Sequence, residues 1–309
     1  MPTIESLRTK ISSVQDLQSV VKTMKALAAV SIRQYQKAVE SLADYNRTLE
    51  MGLQIVLRQR YFSEQHAILT SVINHQTKSN SVGAIIFGSD QGLCGQFNEQ
   101  IASYSVEKLE QLQIKPENRL IAAIGARVVA PLEAQGQTIA AKFSLPSAVS
   151  GITSMVQEIL LTIEQWRSLA AGRSPSQQQI EQIILFYNQS LSGASYHPHT
   201  LHLLPVDFNW LQNLQRQPWP SPVLPTFTMD ENQLFSGLIR EYLFISLYRA
   251  FAESLASENA SRLASMQAAE KNIEERLSEL NADYRRLRQS SITAELLDIV
   301  AGFEALTKK

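Results

Sequence analysis

Between Gly237 and Gly302 the chain holds neither glycine nor proline, and the residues there are mostly Ala, Leu, Glu, Arg, Gln and other good helix formers. The stretch from Asp230 to Lys309 therefore reads as one helix, on the order of 100 Å long at about 1.5 Å per residue. Alternating steps of three and four from Leu238 land on Tyr242, Ile245, Arg249, Ala252, Ala256, Asn259, Leu263, Met266, Glu270, Ile273, Leu277, Leu280, Tyr284 and Leu287, and eleven of these fourteen are apolar. Such a seam exposes too much apolar surface to stand alone, so it requires a partner helix.

The start of the chain supplies one. The same stepping from Ile4 gives Leu7, Ile11, Val14, Gln18, Val21, Lys25, Ala28, Ile32, Tyr35, Val39, Leu42, Asn46, Leu49, Leu53 and Val56, of which thirteen of sixteen, Ile4 included, are apolar. Two heptad seams at opposite ends of one chain predict an antiparallel coiled coil; a helical bundle or a parallel dimer fits the periodicity equally well. Gln18 and Lys25 are polar residues on seam positions, which fix register or face another partner.

With 28 Lys plus Arg against 29 Asp plus Glu, the chain carries no charge excess that would point to nucleic acid. Its one cysteine, Cys94, excludes an internal disulfide. The first residues run straight into the heptad with Glu5, Arg8 and Lys10, unlike a signal peptide, and no apolar run reaches the length of a membrane span.

After the polar run His75 to Ser81 the periodicity changes. Val82–Phe87 is a β-rich apolar run, Gly88 to Gly95 a turn, and Gln96 to Leu112 helical in pattern. Further strands are expected at Leu120–Ile124, Gln182–Tyr187 and His199–Pro205, with helices to Ala134 and over Gly151–Leu169. Strands interleaved with helices predict a Rossmann-like, doubly wound α/β domain with a mostly parallel sheet. Trp210 to Asp230, with Pro218, Pro220, Pro222 and Pro225, reads as a stiff connector, and Asp230 as the cap of the last helix. The expected boundaries are 1–62 and 230–309 for the two long helices, 78–212 for the α/β domain and 213–229 for the linker.

The turn is the one place to look for small-molecule chemistry. Gly88, Gly92 and Gly95 match neither a dinucleotide fingerprint nor a phosphate loop, and no Lys-Ser or Lys-Thr follows. The plainer reading is structural, with Ser89 and Asp90 capping the following helix and Cys94 a small buried side chain. His197, His199 and His202 raise a metal site with Asp207 as the nearest carboxylate, but Pro198 interrupts them and strand histidines explain them as well. No nucleophile-base constellation is present, so a nucleotide-dependent α/β enzyme with helical arms remains only the alternative to a noncatalytic structural role.

Three motifs carry a resemblance. Ile11–Val14 followed by Lys22-Thr23-Met24-Lys25-Ala26-Leu27-Ala28-Ala29 resembles the N-terminal helix signature of the gamma subunits of F-type ATP synthases. Ser89-Asp90-Gln91-Gly92-Leu93-Cys94-Gly95 is similar to that family's Ser-Asp-Arg-Gly-Leu-Cys-Gly turn. Glu253 to Met266, with Arg288 to Leu296 downstream, resembles its C-terminal signature. The resemblance implies a noncatalytic rotor without cofactor. Its terminal helices would lie inside a ring of alpha and beta subunits, and its α/β domain would lie against the epsilon subunit and the ring of c subunits at the cytoplasmic face of a bacterial inner membrane. It further implies ring contacts at Lys22, Met24, Lys25, Arg288, Gln289, Thr293, Glu295, Ile299 and Phe303, and a structural turn at Ser89, Asp90, Gly92, Cys94 and Gly95. Gln91, the less basic Val30–Gln34 and the unusual Leu224–Asp230 depart from the family pattern and suggest a divergent branch.

Overall fold

The computed structural model describes residues 3–62, 81–168, 180, 182–191 and 195–307. All of the expected polar run except Ser81 lies outside these, as does the side chain of Leu306. The chain divides by packing into two units, Met1–Ala29 with Arg262–Lys309, and Val30–Ser261.

In the first unit, α1 (Ile4–Phe62) contributes its start and the C-terminal helix, Glu231–Thr307, its second half. Thr3 begins α1: its Oγ1 accepts the backbone N–H of Ser6 at 3.2 Å and so satisfies one of the helix's free donors. The two helices run antiparallel, because Thr3, Ile4 and Glu5 face Leu287, Ser290, Ser291 and Ala294 while Lys25 reaches Glu270. Leu7, Val21, Ala28, Met266 and Leu280, all on the expected seams, are buried. Intrachain antiparallel pairing is thus the solution adopted, and not a bundle or a parallel dimer.

The second unit is built on five strands, β1 (Val82–Phe87), β2 (Arg119–Ile124), β3 (Ile139–Phe143), β4 (Gln182–Ser190) and β5 (Tyr196–Leu204), in the order β3-β2-β1-β4-β5. β1 pairs in parallel with β2 and β4, β2 with β3, and only β5 is antiparallel. β3 is a strand the sequence did not announce. It is an edge strand whose residues alternate between half-buried and exposed, so it lacks the apolar run that marks the central strands.

Successive residues of β1 point to opposite faces of the sheet, and each face has its own core. On one side Val82, Ala84 and Ile86 pack with Ile101, Val106 and Leu109 of α2 (Phe97–Gln111) and Leu132 of α3 (Val129–Ala134). On the other, Ile85 and Phe87 pack with α4 (Ile152–Ser168), Leu49 to Leu57 of α1 and Ile245 to Ala256 of the C-terminal helix. Phe87 meets Phe251 edge to face at 4.9 Å. Every residue from Ala250 to Ser261 is buried, which the Ala and Ser residues there permit by letting neighbouring backbones come close.

α5 (Phe208–Arg216) crosses the boundary expected at residue 212. No proline lies between Pro205 and Pro218 to stop it, and Asp207 caps its start by accepting the Asn209 N–H at 2.8 Å. Its last carbonyls are taken by α1: Arg58 Nε donates to Gln215 O at 3.1 Å and Gln54 Nε2 to Gln217 O at 2.6 Å. The C-terminal helix, α6 (Glu231–Thr307), is capped as expected, Asp230 Oδ1 accepting from Asn232 and Gln233 at 3.0 and 3.1 Å.

Candidate functional site

The coil-forming unit carries the first set of expected contact residues. Lys22 is exposed, Met24 half-buried, and Lys25 forms an ion pair across the coil with Glu270, whose side chain is only 17% exposed. Both partners are polar exceptions on mostly apolar seams, and opposite charges there meet across the helix pair. Lys25 was singled out from the sequence and Glu270 was not. The antiparallel register, which sets one seam's polar position against the other's, was the available signal.

Beyond Ala294, α6 has no helix beside it among the described residues of its unit. Arg288, Gln289, Thr293 and Glu295 all point to solvent, with Thr293 Oγ1 donating to Gln289 O at 2.9 Å and Ser291 Oγ to Glu295 Oε1 at 3.4 Å. The apolar residues there are uncovered as well: Ile299 is 69% and Phe303 68% exposed, with Ile292, Leu296, Leu297 and Val300 alongside. This end combines an apolar stripe with a polar collar below it, the make-up of a contact surface.

The glycine turn of the other unit is closed by the protein's own groups. Ser89 N donates to Asn98 Oδ1 and Asn98 Nδ2 to Ser89 Oγ, both at 2.9 Å, while Ser89 Oγ donates to Gln91 O at 3.0 Å. Asp90 Oδ1 accepts the Ala126 N–H at 2.8 Å and Oδ2 the Leu145 N–H at 2.7 Å. Neither Ser89 nor Asp90 caps α2, whose first residues make no side-chain cap bond. The expectation of a helix cap is corrected: Asp90 lies six positions before the N-cap Gln96, and its carboxylate reaches the loops after β2 and β3 instead.

Gly88 and Gly125 are sites of close approach, to the Val128 side chain and to the Ser89 backbone. A Cβ on Gly88 would lie 2.4 Å from Val128 Cβ; on Gly125, at φ +94°, it would lie 2.7 Å from Ser89 O. Gly95 turns the chain at φ +60°, Gly92 is half-buried, and Cys94 is buried as expected. Ser261 Oγ donates to Cys94 O at 2.5 Å. At the carboxyl ends of β1 and β4, where an open α/β sheet holds its ligand, buried Asn188 Nδ2 reaches Phe97 O at 3.4 Å and Phe97 meets Tyr196 edge-on. A phosphate entering this turn would have to displace a carboxylate from two amides, so the arrangement is a clasp between loops.

The histidines lie on β5. His199 packs edge-on against Tyr187 at 5.2 Å and His197 against His199 at 6.2 Å. Burial holds His199 below its ordinary pKa, with His197 and Arg249 adding to the effect and Glu253 opposing it. Among the described residues no group of three His, Cys, Asp or Glu side chains is placed to hold a metal.

A family profile described as ATP synthase matches residues 3–306. The chain is 27% identical to the ATP synthase gamma chain of Nostoc punctiforme, covering 99% of this chain and 100% of that one. It is 26% identical to that of Glaesserella parasuis, covering 98% and 99%. Among solved structures it is similar in fold to a chain of the Euglena gracilis mitochondrial ATP synthase OSCP/F1/c-ring assembly, with TM-score 0.58 and 17% identity over 98% of this chain and 94% of that one. A chain of the Tetrahymena thermophila mitochondrial central stalk and c-ring aligns with TM-score 0.50 and 18% identity over 81% and 99%.

Proposed function

The chain belongs to the ATP synthase gamma-chain family, the noncatalytic central-stalk rotor subunits, and from that premise we propose how its surfaces are used. The coil of residues 1–62 with 230–309 turns within a ring of alpha and beta subunits. The α/β domain of residues 78–212 contacts the epsilon subunit and the c-ring, and residues 213–229 connect it to the last helix. The complex sits at the cytoplasmic face of a bacterial inner membrane, attached through the c-ring. In keeping with that, no helix among the described residues is long and apolar enough to cross a membrane.

The observation that carries this reading is the end of α6. Ile299 and Phe303 are 69% and 68% exposed, which suits a collar of apolar residues supplied by the ring. Lys22, Met24, Lys25, Arg288, Gln289, Thr293 and Glu295 are the side chains that meet the ring below that collar. The turn at Ser89, Asp90, Gly92, Cys94 and Gly95 is structural. Its Ser89 amide is already bonded to Asn98, and its Asp90 carboxylate already accepts the amides of Ala126 and Leu145, which disfavours the nucleotide-dependent enzyme.

Hydrogen bonds to a charged group contribute roughly 1.5 to 3 kcal/mol each, and about 1.4 kcal/mol corresponds to tenfold in a rate. Arg288→Ala with Gln289→Ala is therefore expected to change ATP turnover, and its coupling to ion pumping, about tenfold in reconstituted complexes that still assemble. Wild-type values for both would remove these residues from the torque path.

A further inference from the structure

A cleft of about 680 Å³ opens in the second unit between α1, α6 and strands β4 and β5, within the size range of small-molecule sites. Two aromatic pairs wall it. Trp210 stacks on Tyr242 with centroids 4.8 Å apart, and Tyr187 meets His199 edge-on. The carboxylates of Glu40 and Glu50 also line it, and Asn46 Nδ2 orients Glu50 through a 2.8 Å hydrogen bond.

Next to the cleft-lining Tyr187 and Arg249 lies Glu253, 6% exposed. Its Oε1 accepts Arg249 Nε at 2.7 Å, and its Oε2 is buried. Arg249, the one Lys or Arg among the described lining residues, is thus already matched by a carboxylate, and Glu40 and Glu50 leave the cleft with an excess of negative charge. Aromatic faces beside unmatched carboxylates attract organic cations, through the ring quadrupoles and the Coulomb term together. An anion would meet two like charges, and a neutral apolar guest would strip water from carboxylates without replacing it.

We propose that this cleft binds a small organic cation of the quaternary-ammonium type. The site lies apart from the contact residues assigned to the rotor, so its presence or absence leaves the rotor reading standing.

Choline is the probe, with its uncharged isostere 3,3-dimethylbutan-1-ol as the control, and each is titrated into the purified full chain and followed by ligand-observed NMR. Choline is expected to bind saturably at one site, at least about tenfold more tightly than the isostere, which corresponds to about 1.4 kcal/mol. Glu50→Gln, which keeps the shape and the Asn46 contact, should weaken choline about tenfold and leave the isostere unchanged; Trp210→Leu should weaken both. Should Trp210→Leu fail to fold, Glu50→Gln decides alone. Binding that does not saturate, equal binding of the isostere, or choline affinity indifferent to Glu50→Gln each overturns the proposal.

Discussion

Both carboxylate oxygens of Asp90 accept backbone N–H groups, from Ala126 and from Leu145, so one side chain fastens the loops after β1, β2 and β3. Removing an acceptor leaves its donors unpaired, at about 1–3 kcal/mol per group. Asp90→Ala should accordingly lower the stability of the α/β unit by about 2–4 kcal/mol in urea unfolding, and Asp90→Asn, which keeps one acceptor, by about half as much. A loss under about 0.5 kcal/mol for the alanine variant would count against the clasp. The glycine spacing pointed to a structural turn, but not to which amides Asp90 takes, because Ala126 and Leu145 are distant in the chain and their amides carry no sequence mark. His199 makes a second residue-level prediction. Its folded pKa lies below the unfolded value of about 6.5, so between the two the unfolded chain holds more protons and stability falls as the solution is acidified. Thermal melts from pH 7.5 to 5 should show that loss beginning near pH 6.5, and His199→Phe should flatten part of it; an identical pH profile in the variant would show that other groups set it.

The long helices were the most legible elements, since a three-four repeat sustained over many turns has few other meanings. Leu7, Val21, Ala28, Tyr35, Leu49, Leu53 and Val56 were all named from spacing and all are buried. β3 was not legible, because Ile139, Ala141 and Phe143 are only half-buried at the sheet's edge, and α5 was concealed by the prolines that follow it. The pair Lys25–Glu270 belongs to this scale, since it joins α1 to α6. Its side chains are 36% and 17% exposed, which places it between a surface pair worth under about 1 kcal/mol and a buried one whose halving costs about 3–5 kcal/mol. Glu270→Lys alone sets two ammonium groups together and is expected to destabilise the coil by about 1–2 kcal/mol. Adding Lys25→Glu restores the pair in reverse and should recover most of that. Circular-dichroism melts of the four forms make a double-mutant cycle, and a coupling indistinguishable from zero would mean that the two residues are merely solvated neighbours.

For the whole molecule, the consequential feature is where apolar surface is left uncovered. Folding buries or half-buries the apolar seam residues of both units, yet Ile292, Leu296, Leu297, Ile299, Val300 and Phe303 are all between 47% and 69% exposed. A contiguous stripe of that kind costs roughly 25 cal/mol for each square ångström left in water, so the isolated chain lowers its free energy by associating through it. A ring that closes around the same stripe removes the drive for self-association, and the free and assembled chain should differ sharply in behaviour. Sedimentation velocity on the purified chain is expected to show concentration-dependent self-association, and truncation after Ser291 should abolish it without changing the melting of the α/β unit. The truncated chain should also join the alpha and beta ring less stably, measured as subunit loss on dilution of reconstituted complexes. A full-length chain that stays monomeric at high concentration, or a truncated one that associates as the full chain does, would locate the interaction surface elsewhere than at this end of α6.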